Sequence, residues 1–427
     1  MRRLYTALMA ASRSYAKWDY ENSMSIIRDR KRLLLLLLMA LPILLPALAH
    51  AASALPEALG GKTAYAPSFF SAKVFYASIG IGLCAGLITG CIGAGGGFII
   101  TPALMSVGVK GILAVGTDQF HIFAKSIMGT AVHRKLGNVH VGLALAFLCG
   151  SCIGVTAGGT LNRALYEYNP ILSDFAISLV YVVMLGFLSA YALADYFKNK
   201  NAEDAHGGGE QLTGLAKGLQ KANLPPMIKF DEHVVPGGRK ISGWFVALCG
   251  SVVGLAASIM GVGGGFLTFP MFVYGLGVST GTTVGTDILQ IIFTAGYSAI
   301  SQYAIYGYVF YTLAMGMLVG SLVGVQLGAL TTKVVSGGQI KAFYAVTILA
   351  AFINRVFALP DKLVKMEYIS LSSKVSSMLN TVGTVVFFGI IIFFAVWVIS
   401  KFVANIGKLK AAAANGVGGG GGKGVSQ

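Results

Sequence analysis

Charge is scarce in this 427-residue sequence. Asp, Glu, Lys and Arg together make up 11%, against about 25% in a soluble globular domain. That excludes an ordinary water-facing surface for most of the chain. Acidic residues are scarcer than basic ones, with 16 Asp and Glu against 32 Lys and Arg and a formal net charge of +16. Cysteine is limited to Cys84, Cys91, Cys149, Cys152 and Cys249, an odd number lying within apolar runs, which argues against a disulfide framework. Cys149 and Cys152 form a CxxC with no His or Cys set nearby, so they read as small packing residues rather than a metal or redox pair. No Gly-Lys-Ser/Thr follows "GAGGG" and no strand context exists there, which removes a Walker loop and a dinucleotide fold. The excess of positive charge does not point to nucleic acid. Most Lys and Arg fall between apolar runs, where basic residues set membrane orientation.

What the sequence has is apolar length. It is 55% hydrophobic, with a mean hydropathy of +0.74, and apolar runs of about 18 residues or more recur from Leu33 to Val403. The reading is an all-α polytopic membrane protein in a lipid bilayer. Residues 1–32 form a basic arm, expected to be cytoplasmic. Residues 33–52 are either an anchor helix or a signal-like segment ending at Ala49-His50-Ala51. Helices are expected at about 74–91, 97–107, 112–132, 139–160 and 171–197. After a polar cytoplasmic linker, 198–240, a second set is expected at about 243–260, 266–277, 283–303, 308–330 and 340–358. Repeat 1 therefore spans 74–197 and repeat 2 spans 241–358. A last helix follows at 380–403, then a flexible glycine-rich tail, 404–427.

The two sets repeat. Phe98 matches Phe266, Pro102 matches Pro270, and "AVGTD" ending at Asp118 matches "TVGTD" ending at Asp287. Gly150, Gly154 and Gly158 match Gly320, Gly324 and Gly328. Five segments per copy is an odd number, so the second copy should be inverted relative to the first. The distribution of basic residues agrees. With the N-terminus inside, the arm, Arg134-Lys135, the 198–240 linker and the tail put most Lys and Arg on the inner side. Lys62, Lys73, Lys110, Arg163, Arg355, Lys362, Lys365 and Lys374 fall outside.

Inverted repeats are a mark of secondary transporters, whose sites are built by broken or re-entrant helices near the midplane. The second segment of each repeat is too short to cross the bilayer, and each follows a glycine cluster, "GAGGGF" and "GVGGGF". Non-helical backbone survives at that depth only when buried in protein or facing a watery cavity. A new helix starting there presents free N–H groups and partial positive charge, which suits an anion. Gly93, Gly95, Gly96, Gly97 and Phe98, with Gly261, Gly263, Gly264, Gly265 and Phe266, are therefore candidate substrate-binding residues, with Thr117 and Thr286 beside them. The spaced triplets Gly82-Gly86-Gly90, Gly150-Gly154-Gly158 and Gly320-Gly324-Gly328 read instead as close helix packing.

Only Asp118 and Asp287 among the acidic residues lie deep in apolar segments, and they are repeat mates. Each is either a functional carboxylate or a helix cap. Asp118, His121 and Lys125 share one helix face, a stripe that suits proton coupling or anion contact, or a self-neutralising Asp–Lys pair. The second repeat offers Asp287, Gln290 and Thr294. No nucleophile–base or metal set accompanies His121, His133 and His140, so an enzyme is disfavoured, no metal or cofactor is expected, and a passive anion channel is the alternative to a transporter.

"GxGGGFxxxP", then "GxxxxxAxGT", then a "GxV" helix start at Gly137-Asn138-Val139 and Gly307-Tyr308-Val309, resembles the TauE/SafE sulfite exporter family, twice, over about residues 74 to 400. The resemblance implies a permease of the bacterial inner membrane moving a small sulfur-containing anion such as sulfite or an organosulfonate. It carries the motif onto Gly93, Gly95 to Gly97, Phe98 and Pro102, onto Gly261, Gly263 to Gly265, Phe266 and Pro270, and onto Gly116-Thr117 and Gly285-Thr286. This sequence departs from the family in placing Asp after both Gly-Thr pairs.

Overall fold

The computed structural model describes residues 72–92, 96–134, 140–199, 213–232, 237–332, 334–335 and 337–405. The basic arm, the 33–52 segment, Gly93, Gly95 and all but the first two residues of the tail lie outside the described residues. The elements are α1 (Ala72–Ile92), α2 (Gly97–Ser106), α3 (Gly111–Arg134), α4 (Val141–Tyr168) and α5 (Pro170–Asn199). These are followed by α6 (Gly214–Lys221), β1 (Met227–Phe230), β2 (Arg239–Ser242), α7 (Gly243–Met260) and α8 (Gly265–Pro270). A π-helical segment, π1 (Met271–Leu276), continues α8. Then come α9 (Thr280–Tyr297), its π-helical extension π2 (Ser298–Ala304), α10 (Tyr311–Thr331), α11 (Gly337–Lys365) and α12 (Ser373–Ala404). Among the described residues seven helices are long and apolar enough to cross a membrane: α1, α4, α5, α7, α10, α11 and α12. The short apolar helices are α2 and the α8–π1 unit.

Packing between the two sequence halves is reciprocal. α1 packs along α10, α4 along α7, α3 on α9 and α5 on α11. Glycine makes the first two contacts possible. A Cβ on Gly82 or Gly86 would fall on the backbone of Met317 or Ser321, and one on Gly320 or Gly324 on that of Ile79 or Leu83. The α4–α7 contact repeats the device. Gly150 and Gly154 meet the backbone of Ala247 and Ser251, while Gly250 and Gly254 meet that of Phe147 and Ser151. In a bilayer, helices gain little from apolar burial against one another. Close backbone approach, with its dispersion and Cα–H contacts, therefore carries the association.

Three sequence expectations are revised. Arg163 and Arg355 do not sit in outer connections. α4 runs on to Tyr168, and Arg163 is buried within it, donating to the Gln302 carbonyl at 2.7 Å and stacking 4.0 Å from the Tyr306 ring centroid. Arg355 is buried inside α11, donating to the Pro102 carbonyl at 3.2 Å and to the Ser106 hydroxyl at 2.9 Å. That places its charge at the C-terminal end of α2, where the helix dipole favours a cation. The 198–240 connector is not simply a linker, because α6 and the antiparallel β1–β2 hairpin fold there. Asp231, with φ 56°, accepts from the Ser279 N–H at 2.7 Å and from the Ser279 and Thr282 hydroxyls at 2.6 Å, capping the start of α9. Arg239 donates to the Gly277 carbonyl at 2.7 Å. The hairpin thus fixes the junction between π1 and α9.

Candidate functional site

Both short helices open inside the bundle, at glycine. In the second half, Gly261 ends α7 with φ 83°, and Gly263 (64°) and Gly264 (88°) follow, conformations that side chains with a Cβ rarely adopt. Gly264 then caps α8, its carbonyl accepting from Leu267 and Thr268 at 2.8 Å. In the first half Gly96 precedes α2 and its N–H donates to Thr89 Oγ1 at 2.9 Å. The turns converge. Gly97 lies against the backbone of Val262, and the Ile122 side chain lies against both Gly97 and Gly263. The buried rings of Phe98 and Phe266 are 6.1 Å apart, and Phe98 also meets Tyr344 at 6.0 Å.

The polar stripe on α3 flanks the first turn. Lys125, half-buried, donates from Nζ to Thr89 Oγ1 at 3.3 Å, the same oxygen that receives the Gly96 N–H. One hydroxyl thus joins an ammonium to the start of a half-helix. Asp118 is fully buried, with Oδ2 accepting from Thr101 Oγ1 at 3.2 Å. His121 Nε2 pairs with Ser321 Oγ at 2.9 Å.

The second turn has a different neighbour. Asp287 Oδ2 faces Gly265, and Asp287 Oδ1 accepts from Gln290 Nε2 at 2.7 Å. Gln290 also reaches Thr268 Oγ1 at 3.4 Å and accepts from Thr294 at 2.8 Å. The first turn therefore stands beside a cation and the second beside a carboxylate.

Thr117 and Thr286 are directed elsewhere, and symmetrically. Thr117 Oγ1 accepts the Phe310 N–H at 2.9 Å, and Thr286 Oγ1 accepts the His140 N–H at 3.0 Å. Each thus secures the residue before the fourth helix of the opposite half. Sequence reasoning missed Thr89, Thr101 and Ser321, the partners of the α3 stripe. Thr89 stands seven residues before Gly96, close enough to the cluster to have been noticed. Thr101 and Ser321 come from other elements and carry no local signal. Among the described residues no group of three or more His, Cys, Asp or Glu is placed to hold a metal ion, and all five cysteines are free.

Among the described residues, seven membrane-length helices and two half-helices that start at buried glycine turns define a polytopic membrane protein with a broken-helix core. The family model described as "Sulfite exporter TauE/SafE" matches residues 78–355. The chain belongs to that family and is a membrane transporter. A "Probable membrane transporter protein" of Xylella fastidiosa (strain 9a5c) is 25% identical over 284 residues, covering 66% of this chain and 90% of the relative. "Probable membrane transporter protein YjnA" of Bacillus subtilis is 25% identical over 251 residues, 58% of this chain and 87% of its own length. "Sulfite exporter TauE/SafE family protein 2" of Arabidopsis thaliana is 26% identical over 122 residues, 27% of this chain and 26% of the relative. No solved structure matches the chain.

Proposed function

We propose that the protein is a secondary transporter of a small sulfur-containing anion, sulfite or an organosulfonate, which binds between the two glycine turns. The observation that carries this reading is the convergence of the Lys125 ammonium and the Gly96 N–H on Thr89 at the start of α2. A cation beside the backbone N–H groups of a helix start is chemistry that holds an oxyanion. Gly96, Gly97 and Phe98 form one wall, with Gly93 and Gly95 in the same cluster. Gly261, Gly263, Gly264, Gly265 and Phe266 form the other. Thr117 and Thr286 hold the helices that frame the site, Asp118, His121 and Lys125 contact the anion or its coupled proton, and Asp287 with Gln290 shapes the second wall.

The two halves act as inverted repeats. Reciprocal packing of first helix on fourth, third on third and fifth on fifth is the pattern that a two-fold axis in the membrane plane generates. The N-terminus lies in the cytoplasm and the protein resides in the bacterial inner membrane, in keeping with the basic arm and linker on one side.

Binding is tested by thermal unfolding of the purified protein against sulfite, thiosulfate, sulfate and sulfoacetate. A ligand held by the folded state at a hundred times its Kd adds about 2.7 kcal/mol, so at least one sulfur oxyanion is expected to raise the melting temperature by several degrees. Chloride at equal ionic strength serves as the reference. No response to any of the four contradicts the proposal.

A further inference from the structure

One contact in the α3 stripe is left unmade. Asp118 Oδ1 and His121 Nδ1 face each other at 3.6 Å, and both side chains are fully buried. Neither atom has a hydrogen-bond partner. The far side of each group is held, Asp118 Oδ2 by Thr101 on α2 and His121 Nε2 by Ser321 on α10. Two polar atoms are thus fixed from behind and aimed at one another, about half an ångström beyond normal reach. Leaving buried polar atoms unmade costs about 1–3 kcal/mol, and residues at i and i+3 on a helix close such a gap with a small side-chain rotation.

We propose that Asp118 and His121 form the proton site of this transporter, and that one proton enters their gap with each monovalent anion bound at the Lys125 turn. The inference rests on the anion-transport reading above and assigns the stripe: Lys125 serves the anion, Asp118 and His121 the proton.

In the proposed cycle the empty site carries the Asp118 carboxylate and the Lys125 ammonium, which offset each other along one helix face, beside a neutral imidazole. An arriving monoanion takes Lys125 as its counter-ion, leaving Asp118 uncompensated in a low-dielectric setting, which is costly. A proton taken from water onto the imidazole restores the balance. The new Nδ1–H donates to Asp118 Oδ1 in a charge-assisted bond. On release the proton returns to water as the anion leaves. No bond of the anion breaks, and the loaded site has the same net charge as the empty one.

Other titratable groups near the pair are spent on structure. Tyr181 of α5 lies close to Asp118, but its hydroxyl donates to the Met260 carbonyl at 2.7 Å. Tyr303 of π2 donates to the Ser258 carbonyl at 2.5 Å. Asp287 of α9 is held by Gln290, and the hydrogen bonds that reach the pair from α2 and α10 come from the hydroxyls of Thr101 and Ser321.

The test uses the full-length protein in vesicles containing a trapped pH-sensitive dye, with labelled methanesulfonate as the probe, a monoanion that carries no proton of its own near neutral pH. An inward methanesulfonate gradient is expected to acidify the lumen by one proton per anion taken up. The uptake rate should be indifferent to a potential imposed with potassium and valinomycin. In His121→Gln and in Asp118→Asn, the ratio of protons to anions, read only from the anion that enters, should fall toward zero. Should either variant fail to fold, the wild-type ratio and its voltage response decide alone. Uptake without acidification, uptake driven by the potential, or a one-to-one ratio retained in a folded variant overturns the proton assignment while leaving the transport reading intact. If wild-type vesicles take up neither methanesulfonate nor labelled sulfite, the transport reading fails and the proton assignment falls with it.

Discussion

Replacing Lys125 by Met is expected to weaken anion uptake roughly ten- to hundredfold in apparent affinity, the equivalent of the about 1.5–3 kcal/mol that a hydrogen bond to a charged group contributes. The ammonium is the charged donor at the first glycine turn, held there through Thr89. Backbone N–H groups at a helix start attract an anion with only part of an elementary charge, so they cannot replace it. Met keeps the length and apolar stem of the side chain, which limits the packing change. Lys125→Arg keeps the charge but not the compact donor, and should fall between Met and wild type. The readout is the concentration dependence of labelled sulfite uptake in vesicles at matched protein density. Lys221, exposed on α6, is the control, and its replacement by Met should leave the curve where it was. An unchanged affinity in Lys125→Met would remove the anion from the first turn.

The second large effect is on stability. Gly154→Val places a branched side chain where a Cβ alone would meet the Ser251 carbonyl, and Gly86→Val does the same against Ser321. The obstacle is backbone, so no rotamer relieves it, and α4 must move off α7, or α1 off α10. Overpacking of this kind costs about 1–3 kcal/mol per site, occasionally more. The two interfaces share no contacting residues, so the double variant should lose about the sum, roughly 2–6 kcal/mol. Thermal unfolding followed by tryptophan fluorescence reads this. Gly80→Val and Gly389→Val, where an added Cβ meets nothing within 4 Å, are expected to stay close to wild type. Equal melting temperatures for Gly154→Val and Gly80→Val would contradict the close-packing role. Gly86→Val has a further consequence, because Ser321 also holds His121. Pushing α10 outward disturbs the α3 stripe as well as the fold.

Much of this architecture is written locally. The start of α7 at Gly243 and its end at Met260 follow from an apolar run bounded by Ser242 and by Gly261 in a left-handed turn. The glycine triplets announce close helix contacts because spacing by four keeps them on one face. The stripe on α3 is legible for the same reason. Its partners are not. Thr89 and Ser321 stand 36 and 200 positions from the residues they hold, and nothing in a helical period says which distant hydroxyl arrives. The π-helical segments π1 and π2 were also hidden, since an i→i+5 turn inside an apolar run leaves the hydrophobic pattern almost unchanged. α11 continues past the expected stop near 358, through Pro360, because Lys362 donates to the Asp174 carbonyl and the Ser178 hydroxyl at 2.5 Å and ties the extra turns to α5. The fold of the 213–242 stretch depends on Asp231 reaching Ser279 and Thr282, 48 and 51 residues away, a pairing that its polar composition conceals.

Counterflow of sulfite tests the central claim most directly. Vesicles bearing the protein are loaded with unlabelled sulfite and diluted into a trace of labelled sulfite. A carrier that binds the anion between two turns and exposes it to one side at a time exchanges label inward against the outward flow. The label should then rise transiently above its equilibrium level, and the overshoot should saturate with external sulfite. Simple equilibration without an overshoot would show a passive pore, and no entry of label at all would show that the anion is not a substrate.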